Sequence, residues 1–85
     1  MKHTISLVLG DVVVAERTRK GYSQTELARL TGLHRSYIGD VERGVRNMSV
    51  DNLTTLANAF GLTGSVLLRR MEQLQAKPKT RRRSG

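Results

Sequence analysis

The chain has 85 residues, no cysteine and a formal net charge of +8. This length suits one small domain with a modest core, and the lack of cysteine excludes disulfides and thiolate metal sites. The basic balance favours an anionic partner, nucleic acid or membrane, but no apolar run approaches the ~20 residues of a membrane span.

The first predicted helix follows a short lead-in over residues 1–6. Leu9, Val12 and Val13 have the spacing of one helix face, which predicts that they point into a core. Gly10 interrupts this helix and lowers its intrinsic stability by about 1 kcal/mol relative to alanine.

The second predicted helix has the strongest start signal in the chain. Ser23 and Glu26 form the S-x-x-E pattern of a capping box, and Tyr22 and Leu27 occupy the positions of a hydrophobic staple. These four residues predict that a helix begins near Gln24.

A glycine-centred turn separates this helix from a third one. Gly32 is suited to the positive φ of a tight turn. The third helix is predicted over residues 35–43, with Ile38 and Val41 facing inward, and Gly44 ends it.

Two further amphipathic helices complete the pattern. Ser49 is the predicted N-cap of the fourth, and Thr63 or Ser65 starts the fifth. The inward face of the fourth helix has i, i+3, i+4, i+7 spacing in Leu53, Leu56, Ala57 and Phe60. The apolar residues of the fifth helix are either core or a dimer seam, and we expect the seam, because the preceding helices already close a small core; these residues are Leu67, Met71 and Leu74.

These helices predict one compact all-α, five-helix domain over residues 1–75. Residues 76–85 hold five of the 15 Lys and Arg residues and little that can be buried. We therefore expect this segment to be a basic disordered tail, a run of solvated charge that would add only nonspecific phosphate contacts.

Two short helices joined by about three residues, with glycine in the turn, form the unit that places its second helix in a DNA major groove. The order and spacing of four segments resembles the Cro/lambda-repressor (XRE) family of helix-turn-helix regulators: SQTELA (residues 23–28), TGL (31–33), YIGDVERG (37–44) and LTTLANAFGL (53–62). The small size and the segment VERGVRN are most similar to the controller proteins of restriction–modification systems.

The resemblance implies which residues would contact DNA. The start of the second helix matches a position that contacts phosphates, the start of the third matches base-reading positions, and the stretch after the third matches a backbone clamp. The implied DNA-binding residues are Gln24 and His34 for phosphates, Arg35, Ser36, Tyr37 and Asp40 for bases, and Arg43, Arg46 and Asn47 for the backbone.

The hydrogen-bonding capacity of these side chains supports the DNA-binding roles, but each side chain can also have a purely structural role. Arg35 can donate two hydrogen bonds to guanine, but it can equally be a solvated surface side chain. The Tyr37 ring can simply cover the core, Ser36 can be a local cap, and Asp40 can orient neighbouring arginine or tyrosine side chains.

The resemblance also implies a structural ion pair, Arg17 with Glu42, that ties the first helix to the third. The sequence departs from the family at Glu16, where an apolar or neutral residue is frequent, and at His34, where Ser, Asp or Thr is the usual helix cap. It also has Gly39 in place of a common serine.

We therefore expect a cytoplasmic, homodimeric transcription regulator that binds double-stranded DNA sequence-specifically at a pseudo-palindromic operator. It would block or recruit RNA polymerase, a further candidate partner. The alternative is an antitoxin or another protein-interaction module with the same fold. We expect no enzyme, cofactor, metal or small-molecule ligand, since the sequence holds no nucleophile–base set, paired carboxylates or phosphate loop.

Overall fold

The computed structural model describes the backbone of residues 2–84 and the side chains of residues 5–75. Within this part of the chain there are five helices and no strand, which confirms the all-α prediction. The helices are α1 (Lys2–Lys20), α2 (Gln24–Thr31), α3 (Arg35–Glu42), α4 (Val50–Ala59) and α5 (Gly64–Ser84).

All five helices contribute side chains to one apolar core. Helices α2 and α3 have only eight residues each, too few to be stable alone in water, so burial of their apolar faces holds them in place. Complete burial of one such side chain contributes roughly 1.5–3 kcal/mol. The buried apolar residues are Leu9, Val12, Val13, Leu27, Ile38, Val41, Leu56, Ala57, Phe60, Leu67 and Met71.

Helix α1 begins earlier than the sequence predicts. The expected lead-in over residues 1–6 is wrong, because α1 already starts at Lys2. Ser6 is buried, and its hydroxyl donates a 2.5 Å hydrogen bond to the side-chain oxygen of Asn47. This long-range contact holds the first turns of α1 against the segment that follows α3, and no local sequence pattern could reveal it.

Gly10 allows α1 to cross the end of α3 closely. A Cβ atom at this position would lie 2.6 Å from the backbone carbonyl oxygens of both Val41 and Glu42. Because a backbone cannot move aside as a flexible side chain can, the crossing requires glycine. This packing explains why a helix carries a residue that weakens it.

The turn between α2 and α3 forms as predicted. Ser23 caps α2 by accepting a 2.9 Å hydrogen bond from the Glu26 backbone N–H. The Glu26 carboxylate pairs with Arg29 instead of returning to the cap, so only half of the capping box forms. Gly32 ends α2 in the left-handed region, with φ of 80°, and its N–H donates to the Ala28 carbonyl.

The structure places two of the three residues of the predicted dimer seam on α5 in the core. Leu67 is 0% exposed and Met71 is 9% exposed, so both belong to the core of the single chain. Leu74 is partly buried against the same core. The neighbouring Leu68 is instead 47% exposed. Helical spacing alone does not distinguish a row of core residues from a row of interface residues. Here the other helices leave enough space in the core to bury the row on α5.

The end of the chain leaves one prediction open. The bounds of α5 include most of residues 76–85, but the side chains of this segment lie outside the described residues, and the basic disordered tail stays a prediction. Among the described residues, no helix combines the length and the apolar character that crossing a membrane requires.

Candidate nucleic-acid interface

The helix-turn-helix unit presents the start of α3 at the surface. Ile38 and Val41 are fully buried, while His34, Arg35 and Ser36 are exposed. His34 occupies the N-cap position, but its side chain makes no capping hydrogen bond. The N–H groups at the start of a helix attract anions, and no side chain at the cap competes for them here.

A chain of hydrogen bonds links the core to the exposed end of α3. The buried Glu42 carboxylate accepts from Arg17 Nε at 2.6 Å and from Gln24 Nε2 at 2.7 Å. Arg17 also donates a 2.9 Å bond to the Tyr22 carbonyl oxygen. Gln24 then uses its side-chain oxygen to accept from Arg35 Nη1 at 3.3 Å. The Arg17–Glu42 pair implied by the resemblance is therefore present and extends, through Gln24, to Arg35.

The bond to Gln24 restricts the conformation of the Arg35 side chain and leaves most of its N–H donors available to a ligand. Arginine carries five N–H donors in a planar fork, and one bond to Gln24 uses a single donor. The remaining donors suit the paired acceptors of a guanine edge. In this chain the Gln24 side-chain oxygen accepts from Arg35 and one N–H of its amide donates to Glu42, so Gln24 acts on Arg35 and keeps a second N–H that can reach a phosphate.

Asp40 pairs with arginines of its own surface. Its carboxylate accepts a hydrogen bond from Arg43, one turn along the chain, and lies 3.9 Å from Arg46 Nη1. Both arginine side chains are exposed. This geometry corresponds to the alternative in which Asp40 orients basic side chains. Exposed pairs of this kind are weak, so phosphates can replace the carboxylate as partners.

Tyr37 is half-buried and held by two residues from outside α3. Asn52 Nδ2 donates a 3.0 Å hydrogen bond to the Tyr37 hydroxyl, and Arg46 Cζ lies 5.0 Å from the ring centroid. Asn47 is exposed, and its side-chain oxygen is committed to Ser6. No short-range spacing connects α4 with the start of α3, so the sequence does not indicate a role for Asn52.

A second ionic cluster lies away from this surface and was also missed. Glu16 is buried and accepts hydrogen bonds from Arg19, at 2.6 Å, and from Arg70 of α5. Burial raises the pKa of the Glu16 carboxyl, but the hydrogen bonds and positive charges of Arg19 and Arg70 together lower it below its ordinary value. The cluster fastens α5 to α1 and explains how this position tolerates an acid.

Comparison with known proteins agrees with this geometry. The family profile described as Helix-turn-helix (HTH_3) matches residues 14–67, which include α2, α3, α4 and the turns between them. The match covers more than half of the chain.

Three proteins illustrate the similarity. The control protein C.BamHI of Bacillus amyloliquefaciens is 42% identical over 69 residues, which cover 80% of this chain and 85% of that protein. The crystal structure of the restriction-modification controller protein C.AhdI from Aeromonas hydrophila is 45% identical, with a TM-score of 0.70, over 73% of this chain and 94% of that one. A third structure, the C.Esp1396I controller tetramer in complex with its natural 35-base-pair operator, is 25% identical, with a TM-score of 0.78, over 86% and 96% of the two chains.

Proposed function

Because the chain belongs to the XRE-type helix-turn-helix family of DNA-binding regulators and is similar to restriction–modification controller proteins, we propose that it binds a pseudo-palindromic operator as a homodimer. The start of α3 enters the major groove in each half-site. The observation that carries this proposal is the hydrogen-bonded chain from Glu42 through Gln24 to Arg35, which orients an otherwise flexible base-reading side chain.

The residues divide into two roles by their chemistry. Arg35, Ser36 and Tyr37 lie at the start of α3, where side chains can reach base edges. Arg43 and Arg46 lie at its other end, where exposed guanidinium groups can neutralise phosphates. Phosphate contacts make affinity dependent on salt, whereas base contacts make it dependent on sequence.

The dimer surface we propose is an apolar groove of ≈ 830 Å³, which replaces the seam expected from the sequence. Its lining includes three exposed apolar residues: Ile5 of α1, Val50 of α4 and Leu68 of α5. Their exposed fractions are 48%, 77% and 47%, and exposed apolar residues grouped in one patch are typical of an interaction surface. A second copy of this chain is the proposed partner, since the similar C.Esp1396I controller is a tetramer on its operator.

Regulation would follow from occupancy of the operator in the cytoplasm. A bound dimer blocks RNA polymerase or recruits it, and a controller of this type would act on its own gene and on an endonuclease gene. The antitoxin alternative is not favoured, because the similar proteins are restriction–modification controllers.

Selection of bound sequences from random duplex DNA tests the proposal. We expect a two-fold-symmetric consensus whose half-site centres are about one helical turn, ~34–36 Å, apart. Titration of the recovered duplex and a scrambled duplex at several salt concentrations then separates specific from electrostatic binding. Equal affinity for both duplexes at every salt concentration would refute sequence-specific recognition, and a consensus without symmetry would refute the dimer.

A further inference from the structure

The Tyr37 hydroxyl has a defined hydrogen-bonding polarity. Asn52 Nδ2 is the donor in the 3.0 Å bond between the two side chains, so the hydroxyl oxygen is the acceptor. A tyrosine hydroxyl has one proton to donate in addition to its acceptor capacity. That proton is therefore available to another acceptor, and the major groove offers acceptors at guanine N7 and O6, adenine N7 and thymine O4.

Asn52 is itself held in place. Ser49 caps α4 and accepts a 3.1 Å hydrogen bond from the Asn52 backbone N–H. The Asn52 side chain therefore starts from a fixed point in the first turn of α4. Asn52 is half-buried and in contact with the Tyr37 hydroxyl.

The Tyr37 ring is restricted from a second direction. Arg46 Cζ lies 5.0 Å from the ring centroid, within the range of a cation–π contact, and Arg46 Nη1 lies 3.9 Å from the Asp40 carboxylate. With the hydroxyl held by Asn52 and the ring covered by Arg46, the direction of the remaining O–H bond is restricted.

We propose that Asn52 is a positioning residue for base recognition: it holds the Tyr37 hydroxyl as an acceptor and so directs the hydroxyl proton toward a base acceptor in the major groove. This inference rests on the proposed function. It assigns part of the sequence preference to α4, a helix outside the helix-turn-helix unit.

A double-mutant cycle tests the assignment, with Asn52→Ala, Tyr37→Phe and the double variant. Affinities are measured for the selected duplex and for duplexes altered at one base pair at a time. Asn58→Ala is the matched control, because Asn58 is an exposed asparagine of the same helix without a bond to Tyr37. Thermal melting checks that each variant folds, and Asn52→Ser is the second variant if Asn52→Ala does not.

Loss of one positioned hydrogen bond should reduce the preference at a single base pair by roughly two- to ten-fold in both single variants. The double variant should then be no worse than Tyr37→Phe, since Asn52 acts through the hydroxyl that this variant lacks. Asn58→Ala should keep the preference.

Any of three results would overturn the inference: Asn52→Ala leaves the preference unchanged, it weakens all duplexes equally as a direct phosphate contact would, or its effect adds fully to that of Tyr37→Phe. Failure of the proposed function is distinguishable, since the unmodified protein would then bind every duplex equally before any variant is compared.

Discussion

Glu42, at the end of α3, is hydrogen-bonded to α1 through Arg17 and to α2 through Gln24. Only 6% of its side chain is exposed. Removal of its charge would leave the Arg17 guanidinium partly buried without a matching anion.

We predict that Glu42→Gln lowers the free energy of unfolding by on the order of 3 kcal/mol, because breaking a buried pair leaves one charge uncompensated. Urea denaturation measures the change. Glu26→Gln is the control, since the Glu26–Arg29 pair is exposed and its loss should change the midpoint little. Equal shifts in the two variants would contradict the role given to burial.

The Glu16 carboxyl should make the free energy of unfolding depend on pH in the acid range. The pKa of its carboxyl is below the ordinary value of 4.5, despite the opposing effect of burial, because of the hydrogen bonds from Arg19 and Arg70. A carboxyl with a lowered folded-state pKa stabilises the fold above its unfolded pKa, and this contribution is lost as the pH falls through the folded pKa.

The free energy of unfolding should therefore fall as the pH is lowered below about 4.5, and Glu16→Gln should show a shallower fall. Part of the acid response should remain in this variant, because Arg29 also lowers the pKa of Glu26. Urea denaturation at several pH values measures both slopes. Parallel curves for the two proteins would show that Glu16 contributes nothing to the response.

Among the helices, α1 shows how packing overrides local propensity. Gly10 weakens α1 as a helix, yet alanine at this position would place Cβ 2.6 Å from the backbone of α3. Gly39 of α3 differs, since a Cβ there would meet only the end of the flexible Arg43 side chain, at 3.4 Å.

We predict that Gly10→Ala destabilises the protein by about 1–3 kcal/mol through overpacking. Gly39→Ala should be neutral or stabilise it by up to about 1 kcal/mol, the gain in helix propensity. Thermal or urea unfolding of the two variants provides a matched comparison. Stabilisation by Gly10→Ala would contradict the close crossing of α1 and α3.

Local signals were sufficient to predict the helix-turn-helix unit. The Ser23 cap and Gly32 act within a few residues of themselves, and the structure contains both as predicted. The bond from Ser6 to Asn47 and the bond from Asn52 to Tyr37 join distant parts of the chain. Such contacts leave no periodic pattern in the sequence. The prediction of a lead-in before α1 was therefore wrong, and the contact of Asn52 with Tyr37 was not predicted.

The stripe on α5 was ambiguous for a different physical reason. A core-facing row and a dimer seam have the same apolar i, i+3, i+4 spacing. Which residues a single chain can bury depends on the space that the other helices leave in the core. Leu67 is fully buried in that space, while Leu68, one residue later, is exposed.

For the whole molecule, the exposed apolar groove predicts how two copies meet. We expect Leu68→Glu to raise the dimer dissociation constant at least about tenfold, because association would bury an unpaired carboxylate. Sedimentation analysis over a range of protein concentrations measures the constant.

Leu30→Glu is the matched control, since Leu30 is an aliphatic residue of similar exposure, 45%, on α2 and outside the groove. An unchanged dimer in Leu68→Glu, or a disrupted one in Leu30→Glu, would place the interface elsewhere.

In the proposed complex, Arg35 reads a base pair from the exposed start of α3. Affinities for the selected operator and its single-base-pair variants, measured with the unmodified protein and with Arg35→Ala, test this role. Arg43→Ala is the control for a phosphate contact. Arg46 is less suitable for this control, because it also stacks on the Tyr37 ring.

We predict that Arg35→Ala loses roughly 1–3 kcal/mol of discrimination at one base pair and keeps the preference at the others. Arg43→Ala should weaken all duplexes about equally and reduce the salt dependence. Full retention of the sequence preference by Arg35→Ala would contradict base reading by Arg35.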